Sequence, residues 1–310
     1  MSEGFITIFG GSGFLGTYIV QRLAGLGIPI RVAVRDPISA NHLKVMGAVG
    51  QIGIVQANIS NQASVDAAIA GASCVINLVG ILAETSKQKF DSLHIDGAER
   101  ISNSAISFEV DRLIHFSSIG ADINSPSRYS RTKAKGEIKV KEIFPSATIV
   151  RPSVVFGIED KFINRFASLL KIFPVLPIFG SKNGPNLQPI YVGDVADAVI
   201  EILSRDFSRG KIYELGGPDI LTLRKIYELI ISDLDRKKII LPIWNWIGIV
   251  LSIVTSILPV PFIFKITRDQ LHDLKRDNVA ELGRTSLSEL GIHPTPLSAI
   301  IPSLLARYKS

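Results

Sequence analysis

A doubly wound α/β fold built on a parallel sheet is predicted by three features of this 310-residue sequence. Apolar runs rich in β-branched residues alternate with helix-period segments through the first half. That alternation is the pattern of strands covered by helices on both faces. The first run, Phe5-Ile-Thr-Ile-Phe9, leads straight into glycines at 10, 13 and 16 and then into a helical pattern. After about residue 158 the alternation breaks and prolines recur at 174, 177, 185 and 189, which predicts a smaller C-terminal lobe appended to the sheet.

The spacing predicts strands at 5–9, 30–35, 52–56, 74–79 and 112–117, and helices over 14–25, 61–70, 90–107 and 128–143. A sixth strand is expected across 147–157. Segments near 188–204 and 211–216 are expected to return to the sheet, so that residues 1–157, completed by 188–216, form one domain. Residues 158–310 then build the lobe over the sheet's carboxyl edge, where a small molecule or a partner would bind.

The glycine run has a physical reading. Gly10 turns the chain, Gly13 lets backbone approach a pyrophosphate, and Gly16 lets the helix pack on the loop, with Phe14 and Leu15 opening that helix. Phosphates are then held by the N–H groups and positive dipole end of the helix. This is a Rossmann-like dinucleotide cradle. The second strand ends at Arg35, where an NAD site usually carries a carboxylate for the ribose. A guanidinium there grips a 2′-phosphate instead, so NADP(H) is favoured over NAD(H). Asp36 follows, and either pairs with Arg35 or points to solvent. Asn58 stands after the third strand at the adenine end, and Val79 and Gly80 form a small exit from the fourth strand beneath the nucleotide.

The fifth strand ends in Ser117-Ser118, and Tyr129 and Lys133 follow, one helical turn apart. An ammonium beside a phenol is expected to lower its pKa and make Tyr129 a general acid or base. Ser118, or Ser117 in its place, would bond a substrate oxygen. The alternative is that Tyr129 packs a helix face and Lys133 binds ribose without chemistry.

Composition narrows the classes. Cys74 is the sole cysteine, which excludes a disulfide framework and suits a reducing compartment. Histidines at 42, 94, 115, 272 and 293 lack ligand spacing, so no metal site is expected. The first strand begins too early for a signal or transit segment to be expected. The net charge of +6 centres on 236–276, and aromatic residues do not interleave with the basic ones as nucleic-acid binding would require.

That basic region encloses the most apolar segment. Residues 239–264 carry no charge, with Lys238 and Lys265 at the ends, in a chain whose mean hydropathy is +0.31. Pro242, Pro259 and Pro261 leave 16 residues between breaks, too few to span a bilayer. Asn245, Gly248, Ser252, Thr255 and Ser256 fall on one small or polar helix face, while Trp244, Trp246, Ile249, Val250, Ile253 and Ile257 fall elsewhere. An apolar helix with tryptophan and flanking cations suits an anionic membrane surface. The alternative is a buried helix or the wall of an apolar pocket.

These residues together resemble the short-chain dehydrogenase/reductase superfamily, in its extended or atypical branch. Gly10 to Gly16, Ser118, Tyr129-x-x-x-Lys133, Arg151-Pro-Ser-Val-Val-Phe-Gly157, Pro189 to Asp194 and Tyr213-Glu-Leu-Gly-Gly-Pro218 carry the resemblance. The stretches 128–137, 156–166, 266–279 and 290–297 further resemble the nucleotide-binding accessory subunit of respiratory complex I and its bacterial relatives. That resemblance implies tightly held NADPH as a structural or redox-sensing element. It implies a role in assembly or stability, complex I subunits as partners, and a place on the cytoplasmic face of the inner membrane. The alternative is an active NADP(H)-dependent oxidoreductase acting on the carbonyl or alcohol of a quinone-, isoprenoid- or sterol-like substrate.

Overall fold

The computed structural model describes residues 4–309, apart from 237, 245, 251, 253–266 and 282. Strands β1 (Phe5–Phe9), β2 (Ile30–Val34), β3 (Ile52–Gln56), β4 (Ala72–Asn77), β5 (Arg112–Phe116) and β6 (Thr148–Pro152) follow one another along the chain. They join β11 (Ile212–Leu215) in a seven-stranded sheet of order β11-β6-β5-β4-β1-β2-β3. Every pairing in it is parallel. The order reverses beside β1, and in such sheets ligands bind in the crevice at that reversal.

Strand residues alternate between two cores, as a sheet covered on both faces requires. Ile8, Ile76, Ile114 and Val150 face α1 (Phe14–Gly25) and α6 (Val192–Ser204). Their neighbours Phe9, Val75, Leu113 and Ile149 face α2 (Gln62–Ile69), α3 (Gly97–Ser107) and α4 (Arg128–Ile143). Helix α4 keeps the bounds its sequence pattern predicts, with Ser127 accepting from Ser130 N–H as its cap. Helix α3 is entered through a wider turn, Asp91–Asp96.

The sixth strand is shorter than the sequence reading. Sheet pairing stops at Pro152, because proline cannot donate to a ladder. Residues Val155–Phe156 (β7) pair instead with Ile190–Tyr191 (β10). The lobe is assembled from such short pieces. Helix α5 (Ile163–Ile172) precedes β8 (Val175–Phe179), and β9 (Asn186–Leu187) pairs antiparallel with β12 (Leu221–Thr222) ahead of α7 (Leu223–Asp233). Helices Arg268–Asp273 and Leu297–Leu305 complete it. A third core, including Ile163, Leu170, Ile226, Ile230 and Ile301, holds these elements together.

The apolar segment begins as a strand. Residues Ile239–Ile243 (β13) pair parallel with β8, and 246–250 are helical. Gly248 faces inward, since a Cβ there would sit 2.7 Å from Phe179. Ser252 is buried as well. Trp244 and Trp246 are 73% and 60% exposed, and Ile249 and Val250 are exposed beside them. The small face therefore packs on the protein and the large apolar face is left outside. Asn245, Ile253, Thr255, Ser256, Ile257, Pro259, Pro261 and Lys265 lie outside the described residues. Among the described residues no helix is long and apolar enough to cross a membrane.

Candidate functional site

A single cleft of about 1970 Å³ runs along the carboxyl ends of the sheet strands and on into the lobe. Gly10, Gly13, Phe14, Leu15, Gly16, Arg35, Asn58, Val79, Gly80, Ser118, Tyr129 and Lys133 all line it. The structure thus gathers every sequence-predicted site residue along one surface.

The phosphate end is built from backbone. Gly10 takes a φ of +78°, a conformation that disfavours any side chain. At Gly16 a Cβ would come within 2.5 Å of Gly11 Cα, so the helix can approach the loop only as glycine. Gly13 caps α1 without a side chain, and the first turn holds no acidic residue. Its N–H groups and dipole are left to an anion. The loop therefore fits a pyrophosphate.

At the adenosine end Arg35 is exposed. Asp36 does not pair with it. Its carboxylate accepts from the N–H groups of Ile38 and Ser39, at 3.0 and 3.4 Å. The Gln88 side-chain amide reaches over from the β4–α3 loop to Arg35, and with its oxygen turned toward the guanidinium it accepts from both terminal nitrogens. Asn58 is turned partly into its own loop and accepts from Ser60 N–H at 3.0 Å. Gln88 is a contact that sequence reasoning missed, because nothing local marks a loop residue that closes on a strand end 53 positions away.

The centre of the cleft corrects one expectation. Lys133 does not lower the pKa of Tyr129. Burial pushes that phenol up, and the nearby Ser118 hydroxyl only partly offsets the rise. The buried Lys133 ammonium donates to Phe116 O at 3.0 Å, and burial brings its pKa down to about 8. A Cβ on Gly80 would lie 3.1 Å from that ammonium. Neither Ser117 Oγ nor Ser118 Oγ has a partner meeting hydrogen-bond geometry, although both are buried. Buried hydroxyls cost free energy unless satisfied. The Ser118 hydroxyl beside Tyr129 is suited to a ligand oxygen.

His94 also escaped sequence reading. It stacks edge-on to Tyr129 at 5.6 Å, accepts from Ile81 N–H through Nε2, and bonds Thr132 Oγ1 through Nδ1. Burial, with Lys133 nearby, brings its pKa down to about 2. The imidazole is therefore a neutral wedge fixing the Tyr129 ring. It reaches that place because Gly136 permits close approach: a Cβ there would fall 2.1 Å from His94 O. The sequence signal for this contact is Gly136 itself, a glycine in the middle of a helix-period segment.

Helix α4 is anchored at its middle and at its N-terminus. Glu137, one turn after Lys133, pairs with Arg151 at 2.6 Å, and Arg151 also pairs with Glu214 on β11 at 3.1 Å. At the N-terminus Arg128 N–H donates to Asp269 Oδ1, and Ser130 Oγ donates to Asp273 Oδ1. The Arg151-Pro motif is thus a brace for the helix carrying Tyr129.

Residues 6–216 match the NAD dependent epimerase/dehydratase family, and the chain belongs to it. It is 36% identical over 234 residues to the mitochondrial NADH-ubiquinone oxidoreductase 40 kDa subunit of Neurospora crassa, a match covering 75% of this chain and 60% of that one. It is 30% identical over 309 residues to mitochondrial NADH dehydrogenase (ubiquinone) 1 alpha subcomplex subunit 9 of Mus musculus, covering 98% of this chain and 80% of that one. The match thus spans three-fifths of the fungal relative's length. The fold is also that of the Thermus thermophilus UDP-glucose 4-epimerase in complex with NAD, with a TM-score of 0.72, 17% identity and coverage of 98% and 99%.

Proposed function

We propose that this chain is an NADP(H)-binding subunit of a quinone-reducing respiratory complex, holding its nucleotide as a structural or redox-sensing element. The observation that carries the reading is the similarity to the mouse subunit over 98% of this chain, together with an open phosphate cradle in the same chain. Arg35 supports NADP(H) over NAD(H), since Asp36 is turned into its own loop and the neutral Gln88 amide leaves the guanidinium charge to meet a 2′-phosphate. Gly10, Gly13, Phe14, Leu15 and Gly16 would hold the pyrophosphate, Asn58 the adenine side, and Val79, Gly80 and Lys133 the nicotinamide ribose.

The exposed apolar ribbon supports a peripheral seat on an anionic membrane at the bacterial cytoplasmic face. Ile239, Leu241, Trp244 and Trp246 stand out beside Ile172 and Phe173. Lys238 bonds Phe173 O, and Arg236 bonds Leu170 O, placing cations along that ribbon. Tryptophan with lysine and arginine suits the headgroup region.

The orphan serines support a second reading, a working reductase. Bound NADP(H) supplies hydride. Ser118 would donate to the oxygen of an apolar carbonyl, Tyr129 would hold or give its proton, and Lys133 would orient the ribose. One experiment separates the two. Nucleotide released from the purified protein is identified, and oxidation of bound NADPH by quinones or apolar carbonyls is followed by fluorescence. Retained NADPH that no substrate oxidises supports the structural subunit. Oxidation that Tyr129→Phe abolishes makes the chain an enzyme, and release of NAD or of no nucleotide overturns the NADP(H) assignment.

A further inference from the structure

The cleft is larger than one ligand needs. At about 1970 Å³ it exceeds by roughly twofold the upper end of the 300–1,000 Å³ range of small-molecule pockets. The strand-end half accounts for a dinucleotide. The half beyond Tyr129 has a different character. Phe162, Phe166 and Leu169 lie at helical spacing on one side of α5 and are only partly buried against the core. Leu176 and Phe179 of β8 and Tyr227 of α7 complete the wall. The rings interlock, with Phe162–Phe166 centroids 5.0 Å apart and Phe166–Tyr227 centroids 4.7 Å apart, both edge-on.

The same compartment carries uncompensated positive charge. Lys161, immediately before Phe162, and Arg268 line the cleft from its exposed edge. Among the described residues neither makes an ion pair or a hydrogen bond. The carboxylates along this wall are engaged elsewhere. Asp122 pairs with Arg276, Asp273 accepts from Ser130, Asp277 accepts from Asn186, and Glu214 pairs with Arg151. An apolar chamber with cations at its open edge complements a ligand with a hydrocarbon tail and an anionic head. Phe179 forms the chamber wall on one side and packs against Gly248 of the exposed apolar segment on the other. The chamber and the outward apolar ribbon are therefore two sides of one wall.

We propose that the lobe half of the cleft is a binding site for a long-chain anionic amphiphile, its tail against Phe162, Phe166 and Tyr227 and its head at Lys161 and Arg268. The site is separate from the nucleotide cradle, and the inference rests on the nucleotide reading only for the division of the cleft. Binding is the claim, and no chemistry on the amphiphile is required.

The test uses the full chain with its retained nucleotide and titrates laurate, 1-dodecanol and acetate below micellar concentrations by calorimetry. Laurate is expected to bind saturably at one per chain, dodecanol about tenfold more weakly, and acetate not at all. Lys161→Glu is expected to weaken laurate about tenfold and leave dodecanol unchanged. Leu169→Trp, which fills the chamber, is expected to remove both. If it melts early, Phe166→Ala serves instead, with an expected loss of several-fold for both chains. No saturable laurate binding overturns the proposal, as does equal binding of laurate and dodecanol or indifference to Lys161→Glu. Nucleotide content is measured on every sample. Laurate binding without NADP(H) overturns only the nucleotide reading, and NADP(H) without laurate binding overturns only this one.

Discussion

The strand-end half and the β8–β13 ribbon are both apolar, yet they spend that apolarity differently. Around the sheet, side chains such as Ile8, Ile76 and Tyr213 are fully buried, and backbone approaches backbone at Gly16 and Gly136. Along the ribbon, residues of the same kind stand in the open, with Ile239 62% and Trp244 73% exposed. A buried apolar residue stabilises the fold, whereas an exposed cluster marks a surface awaiting something else. Perturbations in the first region should therefore be read in stability, and in the second in association.

The largest expected effect is acid lability of the strand-end half. Burial holds His94 and His115 neutral, with pKa values down at about 2 and about 3 from an ordinary 6.5. Below 6.5 the unfolded chain takes up protons that the native state refuses, so stability falls with pH through that window. Urea midpoints between pH 7 and 4.5 should fall with a slope approaching two protons, and His94→Asn should lower the slope by about one. A flat profile would mean that these imidazoles are not held neutral.

Arg151→Met comes next. It leaves Glu137 buried without its partner and Glu214 with Arg284 at 3.4 Å as its remaining cation, a loss of about 3–5 kcal/mol in urea unfolding. The brace on α4 goes with it, so Tyr129-dependent properties should suffer even where the protein folds. Gly136→Ala should cost about 1–3 kcal/mol, because the new methyl meets the His94 carbonyl. Unchanged thermal midpoints would show that α3 and α4 separate freely. Smaller in stability but specific in binding, Arg35→Glu should weaken NADPH about a hundredfold and spare NADH, as read by nucleotide retention after gel filtration. Equal losses for both would remove the 2′-phosphate role.

The smallest stability effect belongs to the ribbon. Trp244→Ser should move unfolding by no more than about 0.5 kcal/mol while reducing flotation with anionic vesicles several-fold. A large loss of stability would place Trp244 in the core economy of the lobe and erase the contrast between the two regions.

Much of the strand-end half was legible because its signals are local. Helix α4 runs over the residues its pattern marks, and Gly10 to Gly16 sit where a βα turn needs them. Pairings between distant short segments were not. Nothing near Val155 announces that it leaves the sheet for Ile190, and nothing near Ser153 announces that it bonds Asn278 at 2.6 Å. The electrostatics of the cleft were misread for a related reason. Tyr129 and Lys133 share a helix face as their spacing implies, but burial by Phe90 and His94, from another helix, sets the phenol's pKa. The ribbon was half legible: its small face was marked in sequence, while the direction that face would point depended on Phe179 and Leu271.

Strand β11 has a consequence for how the chain is made. It closes the sheet beside β6, with Glu214 tied to Arg151 and receiving the N–H of Glu281. A ribosome that has delivered residues 1–157 has released a sheet with an open edge and Arg151 without Glu214. Closure must wait through the synthesis of α5, β8 and α6, and the ties to Glu281, Arg284 and Thr285 wait longer still. The nascent chain thus passes through a long interval with a bare parallel edge, the kind of surface on which strands of other chains add. Early docking of α6 on α1, or early capture of nucleotide at Gly10 to Gly16, would shorten the hazard, making ligand supply during translation a determinant of yield.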